Sequence, residues 1–196
     1  MKKKRTVFYI YLFRHGQTYY NKQKVFTGWK DSKLTPLGIK QAKIIAKKLK
    51  NKKIQVFFQT ELSRSKDALK EVVKYHPEAR EIITANRMIE RSYGDLEGIS
   101  HKATIKKYGK KQFDIWHRSY NIPPAKGESF AMVEKRIVIF IKGLVKFIKK
   151  ERVNVGISSH GNSIRIFRKI WEKKTEQECV KWFIPYDKVY TYKVSV

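Results

Sequence analysis

The chain has 196 residues, of which 41% are hydrophobic and 32% charged, a composition typical of a folded domain and not of a disordered segment. Its single cysteine, Cys179, excludes a disulfide framework and a thiolate metal site and favours a reducing, cytoplasmic compartment. The formal net charge of +28 allows an anionic partner. The lysines spread along the whole chain, however, which favours ordinary solvated faces over a nucleic-acid site.

The N-terminal half alternates predicted strands with predicted helices. Val7–Phe13 is β-branched and aromatic, which predicts a buried strand, and the basic residues before it form a lead-in and not a signal peptide. Thr35 as N-cap and Pro36 at the first helical position predict a helix with one apolar stripe. The remaining segments are a strand over Ile54–Gln59, a polar bend, a helix over Ala68–Lys74 and a short strand over Glu81–Thr84.

The C-terminal half contains the longest predicted helix. The stretch from Glu90 to Pro124, rich in Tyr, Trp and basic residues, predicts loop and short helix that cover a site. Ser129 begins the long helix, whose apolar side runs from Val133 to Ile148. The remaining segments are a strand over Val153–Ser158, a helix over Ile164–Trp171, a short helix capped by Thr175 and Glu178, and an edge strand over Val189–Val196.

Strands that alternate with helices predict right-handed βαβ units and a largely parallel sheet with helices on both faces. We therefore predict a three-layer α/β/α sandwich. The sequence has no internal repeat and no Pro/Gly/Ser-rich linker, so we expect one domain over residues 1–196. No stretch is long enough to span a membrane.

Two histidines directly follow predicted strands: His15 follows the first strand and His160 follows Val153–Ser158. Ligands of open α/β sheets bind beyond the carboxyl ends of the strands, so the two histidines are expected to converge. Arginines Arg14, Arg64 and Arg165 lie near the same edge. The glycine after each histidine allows a close approach of the backbone.

This set of residues suits phosphoryl transfer. Neutral imidazole is a good nucleophile near pH 7, which makes His15 the candidate phosphoryl acceptor. Arginine neutralises the charge on the transferred group, and Glu90 is a candidate acid for the leaving oxygen. Structural roles are the alternatives: a helix-capping hydrogen bond for His160, and an ion pair with Arg87 or Arg91 for Glu90.

Other chemistries fit the sequence less well. The phosphate-binding patterns G-x-x-x-x-G-K-[ST] and G-x-G-x-x-G are missing, and the five histidines do not have the H-E-x-x-H spacing of a zinc site. We therefore expect no metal.

Blocks over nearly the whole chain resemble the histidine phosphatase superfamily and, within it, the cofactor-dependent phosphoglycerate mutases. The blocks are Arg14-His15-Gly16-Gln17-Thr18 with Asn21, Phe26-Thr27-Gly28-Trp29-Lys30-Asp31, Leu62-Ser63-Arg64-Ser65, Glu90-Arg91 with Tyr93-Gly94-Asp95-Leu96-Glu97-Gly98, Ile115-Trp116 with Arg118-Ser119-Tyr120, and Ser159-His160-Gly161-Asn162-Ser163-Ile164-Arg165.

The resemblance implies a role for each matching residue. His15 is the residue phosphorylated in the family, Glu90 its acid/base, and Arg14, Arg64 and His160 its phosphate pocket. The implied substrate contacts are Asn21, Thr27, Gly28, Tyr93, Arg118, Gly161 and Asn162. The resemblance also implies a phosphorylated small-molecule substrate, priming by 2,3-bisphosphoglycerate and no metal.

Departures from the mutase pattern leave the phosphoryl acceptor open. Mutases usually have a lysine where this chain has His101, although Lys102 follows, and two adjacent arginines where it has His117-Arg118. The segment after Pro124 is short, as in compact relatives, and the chain ends at Val196 without the C-terminal tail of many relatives. A more open site would admit water to the phosphohistidine.

Three hypotheses follow. The first is a mutase that interconverts 3- and 2-phosphoglycerate in glycolysis and gluconeogenesis. The second is a phosphomonoesterase of the same fold. The third, based only on the charge of +28, is a basic nucleic-acid-binding protein on a retired enzyme scaffold.

Overall fold

The computed structural model describes residues 6–196, so the predicted basic lead-in, residues 1–5, lies outside the described residues. The strands are β1 (Val7–Arg14), β2 (Val56–Gln59), β3 (Glu81–Thr84), β4 (Val155–Ser159) and β5 (Val189–Ser195). The helices are α1 (Tyr19–Lys22), α2 (Pro36–Leu49), α3 (Ser63–Val73), α4 (His101–Arg118), α5 (Phe130–Glu151), α6 (Gly161–Trp171) and α7 (Glu176–Lys181). Two short 3₁₀ helices cover Asn86–Met88 and Gly94–Leu96.

The five strands form one sheet in the order β3-β2-β4-β1-β5. The pairs β2–β3, β2–β4 and β1–β4 are parallel, and β5 pairs antiparallel with β1. Alternate residues of β5 are buried, which confirms the predicted edge strand. The carboxyl ends of β1, β2 and β4 meet at one edge of the sheet.

Side chains of β1 alternate between the two faces of the sheet. Ile10 and Leu12 pack into a core formed with α5 and α6. Tyr11 and Phe13 pack into a second core formed with α2 and α3. Helices therefore cover both faces, and the three-layer α/β/α architecture is confirmed.

Three predicted helix starts are confirmed by their capping hydrogen bonds. The hydroxyls of Thr35 and Ser129 accept hydrogen bonds from backbone N–H groups in the first turns of α2 and α5. Thr175 and Glu178 form a reciprocal capping box at α7. Each of these helices has a threonine or serine at its N-cap, and such a residue predicts the first turn of a helix from the sequence.

Helices α3 and α6 begin earlier than predicted. Helix α3 begins at Ser63 after Leu62, and α6 begins at Gly161 after His160. Neither N-cap side chain makes a capping hydrogen bond, so the sequence carries no signal for the start. The earlier starts place Arg64 in the first turn of α3 and His160 at the junction of β4 and α6.

The stretch from Glu90 to Pro124 contains more helix than predicted. Helix α4 has 18 residues and is interrupted at Gly109, whose φ of 80° is outside the helical region. The expectation of a short helix is therefore wrong in length. No helix among residues 6–196 is both long and apolar enough to cross a membrane.

Candidate active site

The structure brings His15 and His160 together at the carboxyl edge of the sheet. The strands that precede them are parallel neighbours, and Arg14 of β1 pairs with Ser159 of β4. The backbone N–H of His15 donates a hydrogen bond to the carbonyl of Ser159 at 3.0 Å. The two imidazole rings lie 5.0 Å apart, centroid to centroid, and both are buried.

The glycines that follow the two histidines allow close contacts within the chain. A Cβ on Gly16 would lie 2.1 Å from the carbonyl oxygen of Gly38, a distance that no side chain tolerates. A Cβ on Gly161 would lie 3.3 Å from Cζ of Arg14 and would displace its guanidinium. The two glycines therefore allow other parts of the protein, Gly38 and Arg14, to approach the backbone closely.

The backbone of Gly16 sets the tautomer of His15. Nδ1 of His15 lies 2.7 Å from the carbonyl oxygen of Gly16. A carbonyl only accepts hydrogen bonds, so Nδ1 carries the proton and Nε2 keeps its lone pair. Burial, with the charges of Arg64 and Arg14, holds the pKa of His15 well below 6.5. The imidazole is therefore neutral at pH 7 and nucleophilic at Nε2.

His160 is held through one ring nitrogen and has the other one free. Nε2 of His160 lies 2.8 Å from Oγ1 of Thr60, and both residues are fully buried. Nδ1 is buried without a hydrogen-bond partner among residues 6–196. Burial, together with Arg64 and His15, lowers the pKa of His160 well below 6.5. A structural hydrogen bond therefore orients this ring and leaves a polar atom for a ligand.

Two arginines surround His15. Arg64, almost fully buried, donates hydrogen bonds to the carbonyls of Gly28 at 2.6 Å and Lys30 at 3.0 Å. Arg14 donates to the carbonyl of Ile184 at 2.8 Å, whereas its Nε is buried with no partner among the described residues. Backbone carbonyls thus hold both guanidinium groups, and Nη1 of Arg64 also lies 3.5 Å from Oδ1 of the exposed Asp31.

One carboxylate oxygen of Glu90 accepts hydrogen bonds from the backbone, and the other accepts none from the described residues. Its Oε1 accepts hydrogen bonds from the backbone N–H groups of Arg91 and Asn162, at 2.8 and 3.1 Å. Its backbone carbonyl accepts from Nε1 of Trp29 at 2.8 Å. Within residues 6–196, Glu90 makes no ion pair with Arg87 or Arg91. The side chain is thus fixed in position while Oε2 is available for proton transfer.

His15, Arg14, Arg64 and Glu90 line a cavity of about 200 Å³, whereas the fully buried His160 lies behind this lining. This volume is below the range of about 300–1,000 Å³ of sites for drug-sized ligands, so the cavity suits a smaller molecule. Its lining contains Arg14, Lys24, Arg64 and Arg165, whereas Glu90 is the one carboxylate among the described lining residues. Such an excess of positive charge favours a ligand with more than one anionic group.

Most of the expected substrate contacts lie at this cavity, but two do not. Its lining includes Asn21, Thr27, Gly28, Tyr93, His101, Gly161 and Asn162. Lys102 is exposed and is not part of the lining. Arg118 is also exposed and outside the lining, and its Nη1 donates a hydrogen bond to the carbonyl of Val180 at 2.9 Å.

Hydrogen bonds also connect three further residues of the cavity lining. Nη1 of Arg165 donates to Oδ1 of Asn162 at 2.7 Å, and Nδ2 of Asn162 donates to the hydroxyl of Tyr93 at 3.3 Å. Nε of Arg165 donates to the carbonyl of Trp182 at 2.8 Å. These contacts fix the orientation of the Asn162 amide and hold the guanidinium of Arg165 at the cavity.

Sequence reasoning missed several residues that build the site. Thr60 orients His160, and Tyr186 stacks on Arg14, with Cζ of Arg14 4.1 Å from the ring centroid. Glu97 accepts hydrogen bonds from the backbones of Trp29 and Tyr93 and so joins two loops of the site. Only Glu97 belongs to a recognised block, and none of the three has a local signal that would reveal its distant partner.

Comparisons with known proteins show the family of the chain. The family described as histidine phosphatase superfamily (branch 1) matches residues 10–194. The chain therefore belongs to that superfamily, and the resemblance found in the sequence is confirmed. No group of three or more potential metal-ligating side chains occurs in the described part of the chain.

Curated relatives are named phosphoglycerate mutases. The chain is 36% identical over 177 residues to the phosphoglycerate mutase of Schizosaccharomyces pombe, which covers 88% of this chain and 83% of that protein. It is 37% identical over 161 residues to the 2,3-bisphosphoglycerate-dependent phosphoglycerate mutase of Parvibaculum lavamentivorans, which covers 80% of this chain and 76% of that protein.

Solved structures of phosphatases share the fold. The alpha-ribazole phosphatase of Shigella flexneri superposes with a TM-score of 0.80 at 20% identity, covering 93% of this chain and 89% of that chain. A mycobacterial glucosyl-3-phosphoglycerate phosphatase superposes with a TM-score of 0.76 at 21% identity, covering 89% and 84%. At these identities the likeness concerns the fold alone.

Proposed function

We propose that the chain is a phosphoglycerate mutase that interconverts 3- and 2-phosphoglycerate through a phosphohistidine at His15. The observation that carries the proposal is a small cavity whose lining contains four cationic side chains and one carboxylate. Arg14 and Arg64 flank His15, and Lys24 and Arg165 also belong to the lining. A three-carbon acid with a phosphoryl group carries two anionic groups, which a lining of this charge favours. The named relatives support the same substrate.

The residues near His15 fit the phosphoryl group of 2,3-bisphosphoglycerate. Nε of Arg14 and Nδ1 of His160 are both buried without partners in the described residues. Phosphoryl oxygens only accept hydrogen bonds, so both nitrogens act as donors. Nε2 of His160 then accepts from the hydroxyl of Thr60. When bound, 2,3-bisphosphoglycerate supplies the phosphoryl group that primes His15.

In the half-reaction that phosphorylates the histidine, Nε2 of His15 forms a bond to phosphorus as the bond from phosphorus to an ester oxygen of the bound molecule breaks. Glu90 gives its carboxyl proton to the leaving oxygen. The imidazole keeps its proton on Nδ1, bonded to the carbonyl of Gly16, and becomes cationic. Arg14 and Arg64 stabilise the charge on the transferred oxygens.

In the opposite half-reaction, with which the primed protein begins, a hydroxyl of the bound sugar acid attacks phosphorus and the bond to Nε2 breaks. Glu90, now a carboxylate, takes the proton of that hydroxyl. The histidine returns to its neutral form, and Glu90 returns to its acid form. The residues proposed for phosphoryl transfer are His15, Glu90, Arg14, Arg64 and His160. The other residues that line the cavity are proposed as substrate contacts.

The test follows both products at once. Purified protein is incubated with 3-phosphoglycerate, with and without 2,3-bisphosphoglycerate, while 2-phosphoglycerate is coupled to enolase and free phosphate is measured. We expect isomerisation that the bisphosphate stimulates. A preparation that labels His15 but forms no 2-phosphoglycerate would reject the mutase.

A phosphomonoesterase is the second candidate. The observation that favours it is that His101 and His117, where mutases usually have cations, line the cavity as uncharged groups. Weaker binding of the sugar acid would let water take the phosphoryl group. Release of phosphate that exceeds isomerisation for several esters would establish this activity. Either reaction is consistent with one domain that acts in the cytoplasm on a phosphorylated small molecule.

A further inference from the structure

The segment that connects α7 to β5, residues 182–188, has no helix or strand of its own. Two of its side chains, Ile184 and Tyr186, line the cavity, and they are buried and half-buried respectively. The scheme for phosphoryl transfer uses neither of them. Their contribution to the site must therefore come through the groups that they contact.

Two arginines of the cavity lining bind the backbone of this segment. Nη1 of Arg14 donates a hydrogen bond to the carbonyl of Ile184, and Nε of Arg165 donates to the carbonyl of Trp182, both at 2.8 Å. A single hydrogen bond fixes one end of a guanidinium group, but the group can still tilt about that bond. The plane of the Arg14 guanidinium therefore depends on what lies against its face.

The ring of Tyr186 contacts the same guanidinium. Cζ of Arg14 lies over this ring, 4.1 Å from its centroid, which is inside the limit of about 6 Å for a cation–π contact. A planar guanidinium stacks on an aromatic face, and the ring attracts its charge. Because tilting the group would lose this attraction, the ring of Tyr186 opposes the motion that the hydrogen bond to Ile184 still allows.

The backbone of Gly161 packs against the Arg14 guanidinium as well. A Cβ on this glycine would lie 3.3 Å from Cζ and 3.4 Å from Nε of Arg14, so the glycine allows this close packing. The carbonyl of Ile184, the ring of Tyr186 and Gly161 together define where the guanidinium lies. Its Nε is buried without a partner among residues 6–196 and is a donor that remains for a phosphoryl oxygen.

We propose that Tyr186 is a positioning residue for Arg14: its ring fixes the plane of the guanidinium so that Nε meets the phosphoryl group transferred at His15. The inference rests on the proposed function through phosphoryl transfer at His15, and it holds for either acceptor. A tilted guanidinium still attracts a phosphate by its charge. A hydrogen bond from Nε to an equatorial oxygen, however, needs the correct plane, so loss of the ring weakens binding of the transition state more than binding of phosphate.

Two inorganic anions separate these contributions. Phosphate reports the attraction by charge, whereas orthovanadate adopts the trigonal-bipyramidal geometry of the transition state and so reports the orientation of Arg14. Calorimetry of the unphosphorylated protein compares Tyr186→Leu, which removes the aromatic face, with Tyr186→Phe, which keeps it. We expect Tyr186→Leu to weaken vanadate binding by about 2- to 30-fold, the range that a cation–π contact supplies, and phosphate binding by clearly less. Tyr186→Phe should match the wild-type protein.

Phe183 provides the matched control. Its ring belongs to the same segment, 6.5 Å from that of Tyr186, but the residue is 69% exposed and lies outside the cavity lining. Phe183→Leu should leave both affinities unchanged. A second control uses Arg14→Lys, which keeps the charge but has no plane to orient. In this background Tyr186→Leu should change vanadate binding less than it does in the wild-type protein.

Equal weakening of vanadate and phosphate binding by Tyr186→Leu, or no weakening at all, overturns the inference. An equal loss in the Arg14→Lys background, in Tyr186→Phe or in Phe183→Leu does so too, as does a wild-type protein that binds no vanadate. If Tyr186→Leu does not fold, Tyr186→Met gives the same comparison. Binding needs no turnover, so a selective loss of vanadate binding in a protein that forms no 2-phosphoglycerate rejects the mutase and retains this inference. Isomerisation with unchanged vanadate binding in Tyr186→Leu does the reverse.

Discussion

Replacing Thr60 with valine tests whether its hydroxyl orients His160. Valine has nearly the shape of threonine, so the change removes the hydroxyl that lies 2.8 Å from Nε2 of His160 and little else. Both residues are fully buried, and water has no access to replace the lost partner. A buried polar group that loses its partner costs about 1–3 kcal/mol, so we expect the free energy of unfolding to fall by that amount.

Urea unfolding of a double-mutant cycle isolates the interaction. The same Thr60→Val change is made in a His160→Phe background, where the imidazole is absent and the loss should be clearly smaller. In kinetics, Thr60→Val should lower kcat/KM because Nδ1 of His160 is no longer held as a donor, whereas Thr60→Ser should retain most activity. Equal losses of stability in both backgrounds would refute the reasoning.

Four further predictions concern the groups at the phosphoryl-transfer centre. His15→Ala should abolish turnover and acid-labile phosphate labelling of the protein, and wild-type activity in this variant would falsify the nucleophile assignment. Arg64→Ala should cost about 3 kcal/mol in kcat/KM, by analogy with the loss of an oxyanion donor, and a loss below tenfold would contradict its role. Glu90→Gln should slow esters with poor leaving groups far more than aryl phosphates, because only the former need the proton; equal effects on both would exclude the acid role. His15 and His160 have pKa values lowered by burial, so the unfolded chain binds more protons below its ordinary histidine pKa of about 6.5. Stability should therefore be fully present above pH 6.5 and fall with decreasing pH, by up to about 1.4 kcal/mol per pH unit for each histidine, which urea midpoints at several pH values will check.

Local patterns determined much of the fold. The β-branched and aromatic run in β1 and the oxygen-capped starts of α2, α5 and α7 depend on neighbouring residues only, so the sequence predicts them directly. Their alternation then predicts a parallel sheet with two covered faces. The starts of α3 and α6 lack a capping side chain, and their positions depend on packing at the sheet edge.

The sequence by itself indicated the residues that we propose for the phosphoryl chemistry. His15, His160 and Glu90 stand in recognisable blocks, and the order of strands and helices predicts one common edge. Only the tertiary structure decided the tautomer of His15, the partner of His160 and the partner of Arg118, because each depends on an atom that the fold supplies.

The histidines in the two halves of α4 also show what the sequence determines and what only the tertiary structure decides. The sequence reveals that His101 and His117 replace cations of related mutases. It does not reveal that the two rings lie 5.3 Å apart on Phe26, or that burial and then the neighbouring cations lower their pKa values. Residue identity fixes what a group can do chemically, whereas its charge and its partners follow from burial and neighbours, which only the folded chain brings together.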